Sequence, residues 1–251
     1  MDICNMGKGD IHSSAAKLLS KIVAAVTDIT SDKNTLDNIH NLRVSYKRLR
    51  ALLRATGTED ALHVTLKDLY HKAGEVRDLQ LYIGQLKVLN ENKANAPAEY
   101  IAVLSLKNNK LNSELLKAID NLDYENLKES LLQRIPGSIK KKNIQSFADV
   151  KEAAAQTLHP IAKTDEEIHQ IRKYLKDSIY ALELTDKKPR KKLNKVIDLL
   201  GELNDINRFL SLSEPMPDNL PEMEQKIVKR MRKDWIDRKH DLKEKLSKVK
   251  I

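Results

Sequence analysis

Ile39-His40-Asn41-Leu42-Arg43-Val44-Ser45-Tyr46-Lys47-Arg48-Leu49-Arg50 is the stretch from which the chain can be read. At 3.6 residues per turn, positions 40, 43, 47, 50 and 54 fall within an arc of about 80°. His40, Arg43, Lys47, Arg50 and Arg54 therefore predict one cationic stripe, roughly 21 Å long. Leu42, Tyr46, Leu49 and Leu53 lie on the adjoining arc and bind that helix to its bundle. A solvated helix face usually sets Glu one turn from Lys to relieve repulsion. This stripe carries almost no acid, and cations left facing each other need an anion to stabilise them.

The pattern returns later in the chain. Ile168-His169-Gln170-Ile171-Arg172-Lys173-Tyr174-Leu175-Lys176 places its His-x-x-Arg 129 residues after the first. Downstream of each lies a second shared element, Ala73-Gly74-Glu75-Val76-Arg77-Asp78 and Leu200-Gly201-Glu202-Leu203-Asn204-Asp205, 127 residues apart. Two elements in the same order at nearly one offset indicate a duplication. The expected fold is all-α, with two pseudo-symmetric antiparallel helical bundles facing each other, drawn as repeats 8–137 and 144–251 of a single domain.

Composition agrees. Of 251 residues, Gly and Pro together are 14 and Phe, Trp and Tyr together are 10, too few for the turns and strands of a β sandwich or barrel. Charged residues at 32% amid abundant Leu and Ala suit long amphipathic helices. Lys plus Arg exceeds Asp plus Glu by 45 to 36, a net +9, which favours polyanionic partners. Cys4 is the lone cysteine, so no internal disulfide or cysteine zinc motif is available. No apolar run approaches the roughly 18 residues of a membrane span, and no signal-peptide layout opens the sequence. A cytoplasmic protein without membrane insertion is expected.

Apolar periodicity predicts helices over Ile11–Val26, Leu36–Thr56 (stopped by Gly57), Asp60–Asn90 behind a Thr58 cap, from Pro97 onward, and over Tyr124–Arg134. Ser138–Asn143 reads as a basic linker. Helices then run from a Ser146 cap to His159–Pro160, over Asp165–Thr185, from Pro189 to Leu212, and along the closing stripe Val228, Met231, Trp235, Leu242, Leu246 and Val249. Gly74, Gly84 and Gly201 interrupt helical patterns, most simply for close helix packing. Lys229, Arg230, Arg232 and Lys233 sit among acids and read as solvated, as do Lys140–Lys142 and the Lys187–Lys192 cluster.

The two His-x-x-Arg segments with their Gly-Glu-x-x-Asp partners resemble the two halves of a CHAD domain, the conserved histidine α-helical domain. The resemblance spans nearly the whole chain. It implies a pseudo-symmetric pair of helical bundles with a basic groove or channel between them that binds inorganic polyphosphate, in some members at polyphosphate granules. Two positions depart from the pattern, Asn204 and Ile179 standing where Arg is usual; both thin the second half's lining. The candidate polyphosphate-binding residues are His40, Arg43, Lys47, Arg50, Arg54, Arg77, His169, Arg172, Lys173 and Lys176. Other polyanions are further partners.

Polyphosphate carries about one charge per phosphate and no bases, so rows of Arg forks and mobile Lys charges suffice. His40 and His169, alone, would read as core histidines; their recurrence beside Arg favours a phosphate site. Arg one turn from each argues against a metal, and no cofactor is implied. Asp78 and Asp205 fit either of two roles, orienting a neighbouring Arg or Lys, or forming plain surface ion pairs. RNA binding by the same surface is the alternative, disfavoured by 4% aromatics. A phosphotransferase or polyphosphatase using a histidine is weaker still, since phosphoryl transfer calls for a Gly-rich cradle or metal-holding carboxylates. No catalysis is expected.

Overall fold

The computed structural model describes residues 8–31, 36–91, 96–185, 191–249 and 251. It is an α-helical fold with one small ribbon. Strand β1 (Lys8–Asp10) leads into α1 (Ile11–Thr30), α2 (Leu36–Thr56), a single 3-10 turn (Glu59–Ala61), α3 (Val64–Glu91), α4 (Ala98–Asp120) and α5 (Tyr124–Arg134). Strand β2 (Ser138–Lys140) opens α6 (Lys141–Leu158), followed by α7 (Asp165–Glu183), α8 (Lys191–Leu212) and α9 (Glu222–Ser247).

Helix ends have local causes. Asp10 accepts from Ser13 N at 3.0 Å to cap α1, and Asp123 accepts from Asn126 N at 3.1 Å to cap α5. Thr164 and Glu167 form a reciprocal capping box on α7. Gly57, at φ 74°, ends α2 in the left-handed region that a side chain disfavours. The N-terminus of α4 is served from the other half of the chain: the Glu224 carboxylate accepts from Glu99 N at 3.0 Å and Tyr100 N at 2.9 Å.

Two boundaries differ from the sequence reading. Ser138–Lys140 is not a linker but pairs antiparallel with β1, Lys8 opposite Lys140 and Asp10 opposite Ser138, and α6 begins at Lys141 rather than behind Ser146. The third helix starts at Val64, because Thr58 precedes only the 3-10 turn and makes no side-chain cap there. The proposed start at Pro189 and most of the Lys187–Lys192 cluster lie outside the described residues.

Packing repeats with the sequence. α1 lies on α2 as α6 lies on α7, α3 on α4 as α8 on α9, and the two copies meet where α2 crosses α7 and α3 crosses α8. The α2–α7 crossing carries two ion pairs, Arg48 Nε to Glu183 Oε2 at 2.8 Å and Arg54 Nη1 to Asp177 Oδ2 at 2.8 Å. Arg48 and Asp177, like Arg54 and Glu183, are 129 residues apart, the spacing of His40 and His169. The pseudo-two-fold thus carries one pair onto the other with its polarity reversed. Two copies of the first half would set Arg against Arg here and two copies of the second Asp against Glu, so the pairing reflects divergence of the two halves.

The core does not divide by repeat. One cluster joins α1, α2 and α5 to Ile144 and Ala148 of α6 and Ala181 and Leu182 of α7. A second, built on Ile171, Leu175, Leu200 and Leu203, reaches back to Ala51. A third combines Leu79, Tyr82 and Leu86 of α3 and Tyr100 of α4 with Phe209, Val228 and Met231. Apolar surface from both halves is shared on either side of the α2–α3–α7–α8 crossing, which fixes these four helices relative to one another.

Candidate functional site: a cation-lined cavity between the repeats

A cavity of about 570 Å³ opens where α2, α3, α7 and α8 meet. α2 contributes His40, Arg43, Lys47 and Arg50; α3 contributes Tyr70, His71, Gly74, Arg77 and Asp78. α7 adds His169, Arg172, Lys173, Lys176 and Tyr180, and α8 adds Asn204, Asp205 and Arg208. Nine of the ten candidate residues converge here from segments over a hundred residues apart. Both histidines lie in the cavity wall with part of their surface open to solvent, not in the core.

Eight Lys and Arg side chains line the cavity (Arg43, Lys47, Arg50, Arg77, Arg172, Lys173, Lys176, Arg208) against four carboxylates (Glu75, Asp78, Asp177, Asp205). One of the four, Asp177, is buried and already paired with Arg54. Arg54 is thereby the exception among the candidates. It is also held by Glu59 at 2.7 Å and faces a neighbouring groove, not this cavity. The stripe read from α2 ends at Arg50, since the acids that neutralise Arg54 come from the following turn and from the other repeat.

Aromatic rings fix the guanidinium planes. Arg43 donates from Nη1 to the Tyr70 carbonyl at 3.0 Å and lies 4.5 Å over the Tyr70 ring, which itself stacks on Tyr46 at 4.3 Å. Arg50 is held at 5.9 Å from both rings. Gly74 faces Arg43: a Cβ there would fall 2.0 Å from Arg43 Nη1. This glycine admits a site side chain, whereas Gly84 and Gly201 meet nothing within 4 Å, so close helix packing explains none of the three.

Unmet donors remain. Arg50 Nε, Arg77 Nη1 and Arg172 Nε are buried without a hydrogen-bond partner, an arrangement that is costly unless an acceptor arrives. The crowding shows in the proton equilibria. Lys47 is pulled down to about 7 by burial and by Arg43, Arg172, Lys176 and Arg50. Lys176 is lowered by burial and Arg172. His40 is lowered by burial, Arg77 and Lys47, and His169 by burial, Arg172 and Lys173. Burial is the largest cause in each of these groups, and the neighbouring cations push in the same direction.

The carboxylates sit at the α3–α8 side. Asp78 lies 3.6 Å from Arg208 Nε across the repeat boundary, and Asp205 accepts from Asn204 Nδ2 at 3.4 Å while facing Arg77 electrostatically. Tyr70, His71 and Arg208 were not singled out by the sequence. Arg208 had a readable signal. It stands seven residues after Gly201 as Leu81 stands after Gly74, so the charge missing at Asn204 is restored one turn later. Ile179 does not thin the lining, because it is buried in the second core. Arg232 is not solvated either: it donates to the Leu210 carbonyl at 3.1 Å and pairs with Glu214 beyond the end of α8.

A family model for the CHAD domain matches residues 13–212, and the chain belongs to the CHAD domain family. The crystal structure of the CHAD domain from the plant Ricinus communis superposes with a TM-score of 0.75 at 17% identity, covering 96% of this chain and 90% of that one. PptA from Streptomyces chartreusis gives 0.66 at 12% identity, covering 95% and 96%. Among curated protein sequences none matches.

Proposed function

We propose that this CHAD domain binds inorganic polyphosphate in the cavity between α2–α3 and α7–α8, without transforming it. The observation that carries the reading is the set of buried, unpartnered guanidinium nitrogens of Arg50, Arg77 and Arg172, drawn from both repeats and sharing one cavity with Lys47 and Lys176. A linear chain of phosphates offers an acceptor to each fork and needs no base platform. The tyrosine rings of the cavity serve the protein: Tyr70 stacks on the buried Tyr46 beneath Arg43, and Tyr180 lies under Lys176. Stacked this way they orient cations rather than receive bases, which supports polyphosphate over RNA.

A binder of this kind acts by gathering polyphosphate, and attachment to cytoplasmic polyphosphate granules follows as part of the same proposal. Among the described residues no helix is long and apolar enough to cross a membrane, and no group of three or more His, Cys, Asp or Glu side chains could hold a metal ion.

Titration with long-chain polyphosphate by calorimetry at two salt concentrations tests the reading. Binding is expected to weaken steeply with salt, as counterions are released from each neutralised phosphate, and to be lost in Arg43→Glu and Arg172→Glu. Absence of binding, or indifference to both reversals, rejects it. RNA displacing polyphosphate at equal charge would move the assignment to nucleic acid. Phosphate release abolished by His40→Ala would make the protein an enzyme.

A further inference from the structure

Lys47 stands apart from the other lysines of the cavity. It is half-buried and has no hydrogen bond or ion pair with any described residue. Its strongest electrostatic neighbours are all cations: Arg43 and Arg50 on its own helix, Arg172 and Lys176 on α7. Lys173 is exposed, and Lys176 is near Asp198 and Glu183 and lies 5.8 Å over the Tyr180 ring. α3 and α8 bring Arg77, Arg208, Asp78 and Asp205 to the same cavity. In such a crowd one positive charge is relieved most cheaply by releasing a proton, and a guanidinium does not release one. The amine of Lys47 does, which leaves a nucleophilic nitrogen surrounded by anion-binding groups.

We propose that Lys47 is a modification site for acyl phosphates. The phosphate of a small acyl phosphate is held by Arg43, Arg50 and Arg172, with its acyl carbon toward Lys47 Nζ. The nitrogen lone pair attacks that carbon, the N–C bond forms and the C–O bond to phosphate breaks. Inorganic phosphate departs with the electron pair, and the amine proton passes to phosphate or water. The guanidinium groups stabilise the charge that grows on the leaving phosphate. The product is a neutral amide in place of a cation, so acylation weakens the cavity for polyanions. The inference rests on the cavity's holding phosphate, as in the function proposed above.

The test treats the full chain with acetyl phosphate and, separately, with p-nitrophenyl acetate, which carries the same acyl group without a phosphate. Peptide mass spectrometry then follows Lys47 and the exposed Lys107. With acetyl phosphate, Lys47 is expected to react at least about tenfold faster than Lys107, to be protected by polyphosphate, and to level off above about pH 7, where ordinary lysines still climb. With p-nitrophenyl acetate the preference shrinks. Arg172→Gln lowers the ratio of the two rates at Lys47, a readout from which a mere change in basicity cancels. Equal preference with both reagents, or none with acetyl phosphate, overturns the inference. Calorimetric polyphosphate binding with no selectivity at Lys47 sinks the inference alone; phosphate-dependent selectivity without polyphosphate binding sinks the proposed function alone.

Discussion

Gly74 occupies a position whose side-chain space is already taken by Arg43. In Gly74→Ala the methyl group displaces the guanidinium from the Tyr70 carbonyl, while the helix interior gains about 1 kcal/mol from losing glycine. Stability measured by urea denaturation is therefore expected to stay within about 1 kcal/mol of the parent, and polyphosphate affinity to fall about tenfold as a positioned Arg fork is lost. Gly84→Ala is the matched control: with open space at its Cβ, it should stabilise by about 0.5–1 kcal/mol and leave affinity unchanged. Loss of affinity in both variants would show that Arg43 placement is not what Gly74 provides. At this scale the sequence disclosed residue identity and helical phase, enough to bring His40, Arg43, Lys47 and Arg50 onto one face. It did not disclose partners distant in the chain. Gly74 and Arg43 are neighbours only because α3 lies against α2, so the glycine read as a packing device. Arg208 was passed over because its motif stops at Asp205, one turn short.

Between elements, the two ion pairs across the α2–α7 crossing are equivalent in position but not in environment. Arg54 and Asp177 keep 23% and 8% of side-chain exposure, Arg48 and Glu183 34% and 38%. Arg54→Ala strands a buried carboxylate and is expected to cost about 2–4 kcal/mol, whereas Arg48→Ala should cost under about 1 kcal/mol. Urea denaturation compares them directly. Because Arg54 faces away from the cavity while its partner Asp177 lines it, Arg54→Ala/Asp177→Asn, which leaves no unpaired carboxylate there, should keep the polyphosphate affinity of the folded protein nearly intact. A large affinity loss at unchanged stability would return Arg54 to the binding stripe. The sequence could not separate Arg54 from Arg50, since the deciding carboxylate is 123 residues away. Distance along the chain likewise hid β2, whose partner β1 lies at the opposite end of the first repeat. Helix existence, by contrast, is written locally in apolar spacing and caps, which is why α5 matched at both ends.

Across the whole molecule, the cavity couples charge to protons. Lys47, Lys176, His40 and His169 are all lowered in basicity, by burial and by neighbouring cations. In the unfolded chain Lys47 returns to an ordinary value near 10.4. Between about pH 7 and 10 the unfolded state therefore binds more protons at this residue than the folded state, and its contribution makes the fold more stable as pH rises through that window. A bound polyanion reverses the effect: it offsets the surrounding cations and raises each group toward or past its usual value. Groups whose basicity is higher in the complex than in the free protein take up protons on binding, so affinity rises as pH falls. At pH 8 Lys47 is mostly neutral in the free protein and supplies up to one proton of uptake; near pH 6 it is already charged, and its share of the uptake vanishes. Calorimetry at pH 8 in two buffers of different ionisation enthalpy reads this directly, as a difference in apparent binding heat. Lys47→Arg, which stays charged throughout, should shrink the difference at pH 8 by the share that Lys47 supplies. Identical heats in both buffers at pH 8 for the parent protein would mean that Lys47 keeps its proton in the free cavity, and the cation crowding deduced from α2 and α7 would then be wrong.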